Sequence, residues 1–472
     1  MKFILIDLIL LTLFLLFIVI FLYKKREKLD REGIIYIYRT KWGLKLIEKV
    51  SKHKKILNFL SYFSIIFGYM AIMASFILLL LSLKMMYSAI SVPSAPPIAP
   101  VVPYFTSIFK IDFMPPLYFT YWIIIILIIA ISHEFAHGVF AMSSGIKIKS
   151  TGFGFLGPFI AAFVEPDEKT MQRKKIKNQL AILSAGSFAN FIVTLLFVVI
   201  LQLFFLAFYI PNGFIGYMMA IDQINLSSVK SIVIGNQSFS FSSLEELHDF
   251  LIPYKNKTEN ETKNETIKIK TENMTYFLDQ QLLAQQEKLI KNNVLIAYID
   301  SPAYRENLTG PILEIDGKKI KNEKDIEAIL LQKKPNESIE IKTENKTYTI
   351  ILAQHPKNSS RGFLGISFFK QSAITKIFFF TYPKLNPYFE YKPKNKAFDF
   401  VKDLLYWLVI IGISVALFNM LPFSFLDGGK TIYLTFLLIF KNKNAARKGY
   451  AFFSFIVILI LIAMFVLWFI KV

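Results

Sequence analysis

"AISHEFAHGVFAM" (Ala130–Met142) sets two histidines and a glutamate inside a stretch that is otherwise apolar. A titratable group in the core of a bilayer is costly and marks a function where it occurs, so this stretch reads one way in a soluble protein and another in a membrane. Composition decides between them. The chain has 472 residues, 54% of them hydrophobic, and 48 phenylalanines, too apolar for an ordinary soluble fold. Apolar runs cover Phe3–Leu22, Ile56–Leu83, Tyr118 to about Phe140, Leu180–Ile210, Phe400–Leu421 and Ala451–Ile470, each near or above the roughly 20 residues a helix needs to cross. The expected class is a polytopic α-helical membrane protein with about six transmembrane helices. Thr431–Phe440 is too short to cross and reads as a half-helix beside the preceding span. The N-terminal run has no small-residue cleavage site and is followed by the basic cluster "KKREK", the pattern of an anchor rather than a cleaved signal.

The net charge of +20 would suggest nucleic acid in a soluble protein, but its placement gives it another meaning. Twelve Lys/Arg against four acids lie between Lys24 and Lys55, and "KNKNAARK" (Lys441–Lys448) holds four and none. Such a bias marks cytoplasmic loops. With those two loops inside, "KTMQRKKIK" (Lys169–Lys177) is cytoplasmic and Pro211 to about Asp399 is extracytoplasmic. N-x-S/T sequences begin at Asn225, Asn236, Asn256, Asn260, Asn264, Asn273, Asn307, Asn336, Asn345 and Asn358, all in that large loop, the side on which such sequences matter. No nucleic-acid partner is expected. The chain has no cysteine, so the loop must hold itself together through its own cores.

The loop repeats itself. "SIVIGNQSFSFSSLEELHDFL" followed by "IKIKTENMTYFL" parallels "GPILEIDGKKIKNEKDIEAIL" followed by "IEIKTENKTYTI", with "IKTEN" at Ile269–Asn273 and Ile341–Asn345. Each copy runs from a β-rich stretch through a glycine turn (Gly235, Gly317) to an amphipathic helix with apolar positions such as Ile326, Ile329 and Leu330, then to alternating strands. The second copy, with "SPAYRENL" ahead and "GFLGIS" behind, resembles a PDZ domain, and the first is a degenerate match. Modules of that kind capture extended peptides or chain ends at a sheet edge; spacers without a ligand are the plainer reading. The expected division is 1–115 for additional N-terminal helices and loops, 116–210 for the first half of a membrane core, 211–290 and 291–370 for two PDZ-like α+β modules, 371–398 for a linker, and 399–472 for the second half of the core.

His133 and His137 stand four apart, which on a helix puts both imidazoles on one face with Glu134 turned slightly aside. This is H-E-x-x-H. In that arrangement the histidines bind Zn²⁺, which lowers the pKa of a water to about 7, and the glutamate takes its proton. Packing of the histidines against polar neighbours between helices is the plainer reading, but a catalytic zinc explains all three residues. It usually has three protein ligands and one open position. His53 lies in a basic loop, and His248 and His355 lie in the external loop. Asp427 in "FNMLPFSFLDGGK" follows an apolar span and precedes two glycines, and Pro422 with Gly428–Gly429 is expected to break the helix where irregular backbone lines a cavity. Asp427 is therefore the third candidate ligand.

H-E-x-x-H in a membrane span, joined across PDZ-like modules to "NMLPFSFLDG", resembles the site-2 protease family of intramembrane zinc metalloproteases. The resemblance runs from about Tyr118 to the C-terminus and leaves the first two spans as an addition outside the core. It implies one zinc ion on His133, His137 and Asp427, Glu134 as the base, and Asn419 with Pro422 near the site. A further family pattern, A-G-P-x-x-N, stands here as "AGSFAN", so Asn190 matches while Ser187 replaces proline and leaves the helix shape there open. "GFGFLGPFIAAFVEP" (Gly152–Pro166), with Gly152, Gly154 and Gly157, suits a strand-like loop that the resemblance places as re-entrant beside the zinc, where its edge can hold an unwound substrate; a Gly-rich packing turn is the plainer reading.

The expected function is hydrolysis of a peptide bond within a transmembrane segment of other membrane proteins, with the PDZ-like modules controlling access. The expected location is an archaeal plasma membrane, with the modules extracytoplasmic and the zinc nearer the cytoplasmic face. A catalytically dead PDZ-bearing scaffold and a metal-handling membrane protein are the rivals. Neither needs Glu134.

Overall fold

A computed structural model describes residues 2–88, 96–98, 101–111, 114–235, 237–255, 267–272, 274–278, 282–283, 286–368 and 388–471. The chain divides into two compact units, Met1–Phe204 with Ala397–Val472, and Phe205–Lys396. Most of the expected linker at 371–398 and the N-x-S/T sequences at Asn236, Asn256, Asn260, Asn264 and Asn273 lie outside the described residues.

The first unit is helical. Its long helices are α1 (Lys2–Lys25), α3 (Lys54–Ser88), α4 (Phe119–Ser143), α5 (Ile176–Phe208), α6 (Ala397–Phe418) and α8 (Lys443–Lys471), with the short α2 (Leu44–Ser51) before α3 and α7 (Asp427–Phe440) before α8. The six long ones are each long and apolar enough to cross a membrane, which makes this a polytopic helical membrane protein. At 1.5 Å per residue, α7 is roughly 20 Å long and too short to cross.

A four-stranded sheet in the order β1 (Leu29–Glu32), β2 (Ile35–Thr40), β3 (Ile148–Leu156) and β4 (Phe159–Pro166) belongs to the same unit. The N-terminal segment thus packs into this unit, its two strands extending the sheet that β3 and β4 begin. β2 pairs antiparallel with β3 from Tyr36↔Phe155 to Thr40↔Thr151, and α2 lays Ile47 against α4 where Gly138 has no side chain. A Cβ there would meet Ile47 Cδ1 at 2.9 Å.

The glycines of the expected re-entrant loop have separate reasons. At Gly152 a Cβ would lie 2.1 Å from the Tyr38 carbonyl oxygen, Gly154 has only ordinary contacts, and Gly157 takes φ +56° in the β3–β4 turn, a backbone state that favours glycine. Gly152 and Gly154 sit on β3, which is flanked on both sides. The edge of the sheet on their side of the turn is β4, and β1 forms the other edge.

A buried acid ties α1 to α4. Asp7, fully buried, accepts from Phe119 N at 2.8 Å, Thr120 N at 2.9 Å and Tyr104 OH at 2.5 Å, and also from the Thr120 hydroxyl. It caps the N-terminus of α4, whose first amides have no partner within the helix.

The second unit begins with β5 (Tyr209–Phe214), β6 (Tyr217–Met219), β7 (Ile221–Asn225), β8 (Val229–Ile234) and β9 (Gln237–Ser240), continues through the helix Leu244–Lys255, and then runs β10 (Ile267–Thr271), β11 (Thr275–Leu278) and β12 (Val294–Ile299). Next come β13 (Ile312–Ile315), β14 (Lys318–Lys319), the helix Glu323–Leu331, β15 (Ser338–Thr343), β16 (Thr347–Ile351), β17 (Ala353–His355), β18 (Asn358–Phe363), β19 (Ile366–Phe368) and β20 (Phe389–Pro393). The repeat is visible in the pairing. β9-β8-β10-β11 in one sheet matches β14-β13-β15-β16 in the other, and each has its helix in the same place in the chain. Ile326 and Ile329 are buried, as their spacing predicts.

The sheets do not respect boundaries at 211, 290 and 370. β12 pairs with β11 and β7 and so completes the first sheet, while β5, from the head of the unit, pairs with β13 and β20 in the second. Each repeat borrows strands from beyond its own sequence, and these pair with backbone N–H and C=O groups that its own strands leave open.

Candidate metal centre

His133 and His137 lie one turn apart on α4 and converge on a residue 290 positions away. His133 Nε2 and His137 Nε2 are 3.0 Å apart, and Asp427 Oδ2 lies 3.3 Å from the first and 3.1 Å from the second. Among the described residues this is the one group of three metal-ligating side chains. Three atoms bound at about 2.0–2.1 Å to one tetrahedral ion stand roughly 3.3 Å apart, so the donor set fits a single Zn²⁺ with little movement.

The Ile182 carbonyl holds one of the imidazoles in the form a metal needs. A carbonyl can only accept, so His137 Nδ1 carries the proton it donates to the Ile182 oxygen at 2.7 Å, and Nε2 keeps its lone pair. His133 Nδ1 faces the Asn190 carboxamide, whose Nδ2 is 3.3 Å away and whose Oδ1 accepts from Ser132 Oγ at 2.8 Å. A half-turn of this amide puts its oxygen on the imidazole, the orientation that keeps the His133 proton on Nδ1.

Two close approaches make the cluster possible. A Cβ at Gly186 on α5 would stand 2.4 Å from His137 Nε2 and 2.5 Å from His133 Cε1. Sequence reasoning passed over Gly186 although it stands in "AGSFAN"; a lone glycine inside a helical apolar run was the available signal. At the other wall, Gly428 and Gly429 do not break a helix. They lie buried in the first turn of α7, where a Cβ would meet the Met420 carbonyl carbon at 2.2 Å or the Phe423 oxygen at 2.1 Å. The break is the turn Asn419–Leu426 ahead of them, closed by Gly428 N donating to Asn419 O at 2.9 Å. Asp427 is the first residue of α7, aimed by that turn.

Asn419 lines the cavity at the cluster. Pro422 does not; it is buried in the turn, and its carbonyl accepts from Ser454 Oγ at 2.7 Å. Ser187 is fully buried in a helix that continues unbroken from Ile176 to Phe208.

The cavity has a volume of about 940 Å³ and reaches from the cluster along Ile126, Ile129 and Ala130 to β4. Glu134 faces it, and its Oε2 accepts from Val164 N at 2.8 Å. That bond identifies the open side of the sheet. Leu156 pairs with Phe159 across the two-residue turn, and alternation along the ladder then points the N–H and C=O groups of Ile160, Ala162 and Val164 away from β3. The free edge of β4 therefore faces the cavity of the cluster. No residue signal in the sequence pointed to the Val164 amide, because it acts through backbone.

Residues 121–464 match the family model described as peptidase family M50. An uncharacterised protein of Methanocaldococcus jannaschii is 39% identical over 184 residues; the match covers 37% of this chain and 46% of the relative, so the chain spans about half the length of the curated relative it matches. With the motif, the convergent cluster and a match across most of its length, the chain belongs to peptidase family M50.

Proposed function

We propose that this protein is an intramembrane zinc endopeptidase that cuts a transmembrane segment of other membrane proteins. The observation that supports it is the cavity that joins three elements of hydrolysis: a three-ligand cluster, an acid that is not a ligand, and an open strand edge. A metal-handling protein or a dead scaffold has no use for the last two.

His133, His137 and Asp427 would hold Zn²⁺, which would supply a lowered water pKa and a polarised carbonyl. The chain's own residues do the rest. A helical substrate hides its carbonyls, so it must unwind, and the exposed groups of Ile160, Ala162 and Val164 on β4 pair with the extended segment. This moves the substrate-binding role from the glycines of β3 to the edge beside them. The Val164 N–H then passes from Glu134 to a substrate carbonyl, and Glu134 is freed to take a proton from water and deliver it to the leaving amine. Ile182 and Asn190 hold the imidazoles in place throughout.

The basic loops and the N-x-S/T sequences support an orientation in an archaeal plasma membrane with Phe205–Lys396 outside. In this reading the two repeats are PDZ-like modules that keep bulky partners away from the enzyme or capture a substrate's new chain end. Single cysteines test the orientation. Lys318→Cys should label with an impermeant reagent on intact cells and Asn444→Cys only after lysis; the opposite result refutes it.

The function itself is tested by trapping. Glu134→Gln, expressed in native membranes, should accumulate with uncleaved single-span proteins that the active enzyme converts to shorter fragments. If no membrane protein changes length between the two strains, the protease reading fails.

A further inference from the structure

Serine or threonine stands two places after ten of the 13 asparagines between Asn225 and Asn358, and after none of the nine asparagines in the rest of the chain. Hydrolysis gives no reason for this. Five of these sequences, at Asn225, Asn307, Asn336, Asn345 and Asn358, fall on described residues, and all five asparagines are exposed. Each sits at a turn or at the end of a strand. Asn225 ends β7, Asn358 begins β18, Asn345 lies in the turn between β15 and β16, and Asn307 and Asn336 take φ of 48° and 66°. Asparagine suits such turns on its own account, but a turn does not require a hydroxyl two residues later.

At two of the sites that hydroxyl has a definite position. Asn225 Oδ1 accepts from Ser227 N at 3.1 Å and from Ser227 Oγ at 2.9 Å, and Asn358 Oδ1 accepts from Ser360 N at 3.1 Å and from Ser360 Oγ at 2.7 Å. Two donors on one amide oxygen pull electron density towards it, make the Nδ2 protons more acidic and leave Nδ2 pointing away from the turn. Among the described residues, no hydrogen bond occupies the Nδ2 of any of the five asparagines.

We infer that these five side chains are acceptor sites for N-linked sugar, supplied by a lipid-phosphate-linked glycosyl donor and a membrane glycosyltransferase. In the transfer, a bond forms between Nδ2 and the anomeric carbon of the sugar as that carbon's bond to the phosphate oxygen breaks. The amide gives up one proton to a base of the transferase, and the lipid phosphate leaves. Nothing is oxidised or reduced. The hydroxyl two residues on is the recognition element, and its contact with the carboxamide is already made at Asn225 and Asn358. The inference rests on the extracytoplasmic placement of Phe205–Lys396 and not on the protease reading.

The experiment is peptide mass spectrometry on protein purified from the membranes of its native organism. Peptides carrying Asn225, Asn307, Asn336, Asn345 and Asn358 should appear with sugar fragments assigned to asparagine. Ser227→Ala and Ser360→Ala, which keep the asparagines, should each remove one increment from the mass of the intact protein without loss of fold. Bare asparagine at all five positions, in cells where Lys318→Cys labels from outside, overturns the inference and leaves the orientation standing. If Lys318→Cys labels only after lysis, orientation and inference fall together. Sugar found on serine or threonine, or retained in Ser227→Ala, also overturns it.

Discussion

The Val164 amide donates to the Glu134 carboxylate at 2.8 Å, so the open edge of β4 and the candidate base are joined by a single hydrogen bond. Proline at 164 removes that donor, and an edge strand whose N–H points away from its neighbour tolerates proline. Losing one such bond at the point of substrate pairing costs about 1 kcal/mol. Val164→Pro should therefore slow cleavage of a transmembrane substrate by roughly fivefold to tenfold while bound zinc, measured by mass spectrometry of the metal, stays constant. Unchanged turnover would separate β4 from substrate binding.

Glu134 and Asp427 should fail in different ways. Glu134→Gln is expected to abolish cleavage and keep the metal, because the side chain faces the cavity without joining the cluster. Asp427→Ala removes one of three ligand atoms and should lose metal and activity together. Zinc content and turnover measured on both purified variants decide the point, and full zinc with full activity in Asp427→Ala would send the third ligand elsewhere.

Gly186 is the sharpest steric test. A methyl group there would stand 2.4 Å from His137 Nε2, so Gly186→Ala should weaken metal binding even though alanine favours a helix by about 1 kcal/mol over glycine. The expected result is a helix at least as stable as before, by circular dichroism, with metal affinity reduced at least tenfold. Unaltered affinity would mean that α5 withdraws to make room.

Asp7 should matter to stability more than to chemistry. Asp7→Ala strips the cap from α4 and leaves buried donors on Phe119, Thr120 and Tyr104 without an acceptor, at a cost of about 2 kcal/mol or more. Asp7→Asn keeps one acceptor oxygen and should lose less. Thermal unfolding in detergent ranks the three proteins, and equal midpoints would remove Asp7 from the account of how α1 is held.

Local patterns in the sequence carried much of this structure. Four-residue spacing put His133 and His137 on one face, apolar runs marked the six long helices, and the repeated "IKTEN" marked two copies of one arrangement of strands. What escaped was decided at long range. Nothing around Thr40 indicates that it will pair with Thr151, 111 residues on, or that the N-terminal strands complete a sheet with β3 and β4. Nor does composition reveal that Tyr209–Phe214 will leave its neighbours to join β13 and β20. Glycines misled for a related reason. Gly428 and Gly429 look like helix breakers in one dimension, and only the carbonyls of Met420 and Phe423 show that they serve contact instead. Asp7 was silent because a single acid in an apolar run gives no hint of which helix end it will cap.

The antiparallel pairing of β5 with β20 has a consequence for how such a chain can change over time. Tyr209–Phe214 opens the inserted unit and Phe389–Pro393 closes it, and the two strands run side by side. An insertion whose ends already meet leaves its host a gap that a tight turn can bridge, with little loop-closure entropy to overcome. The segment between them is therefore a cassette. Its length and content can change while the two strands that open and close it stay paired.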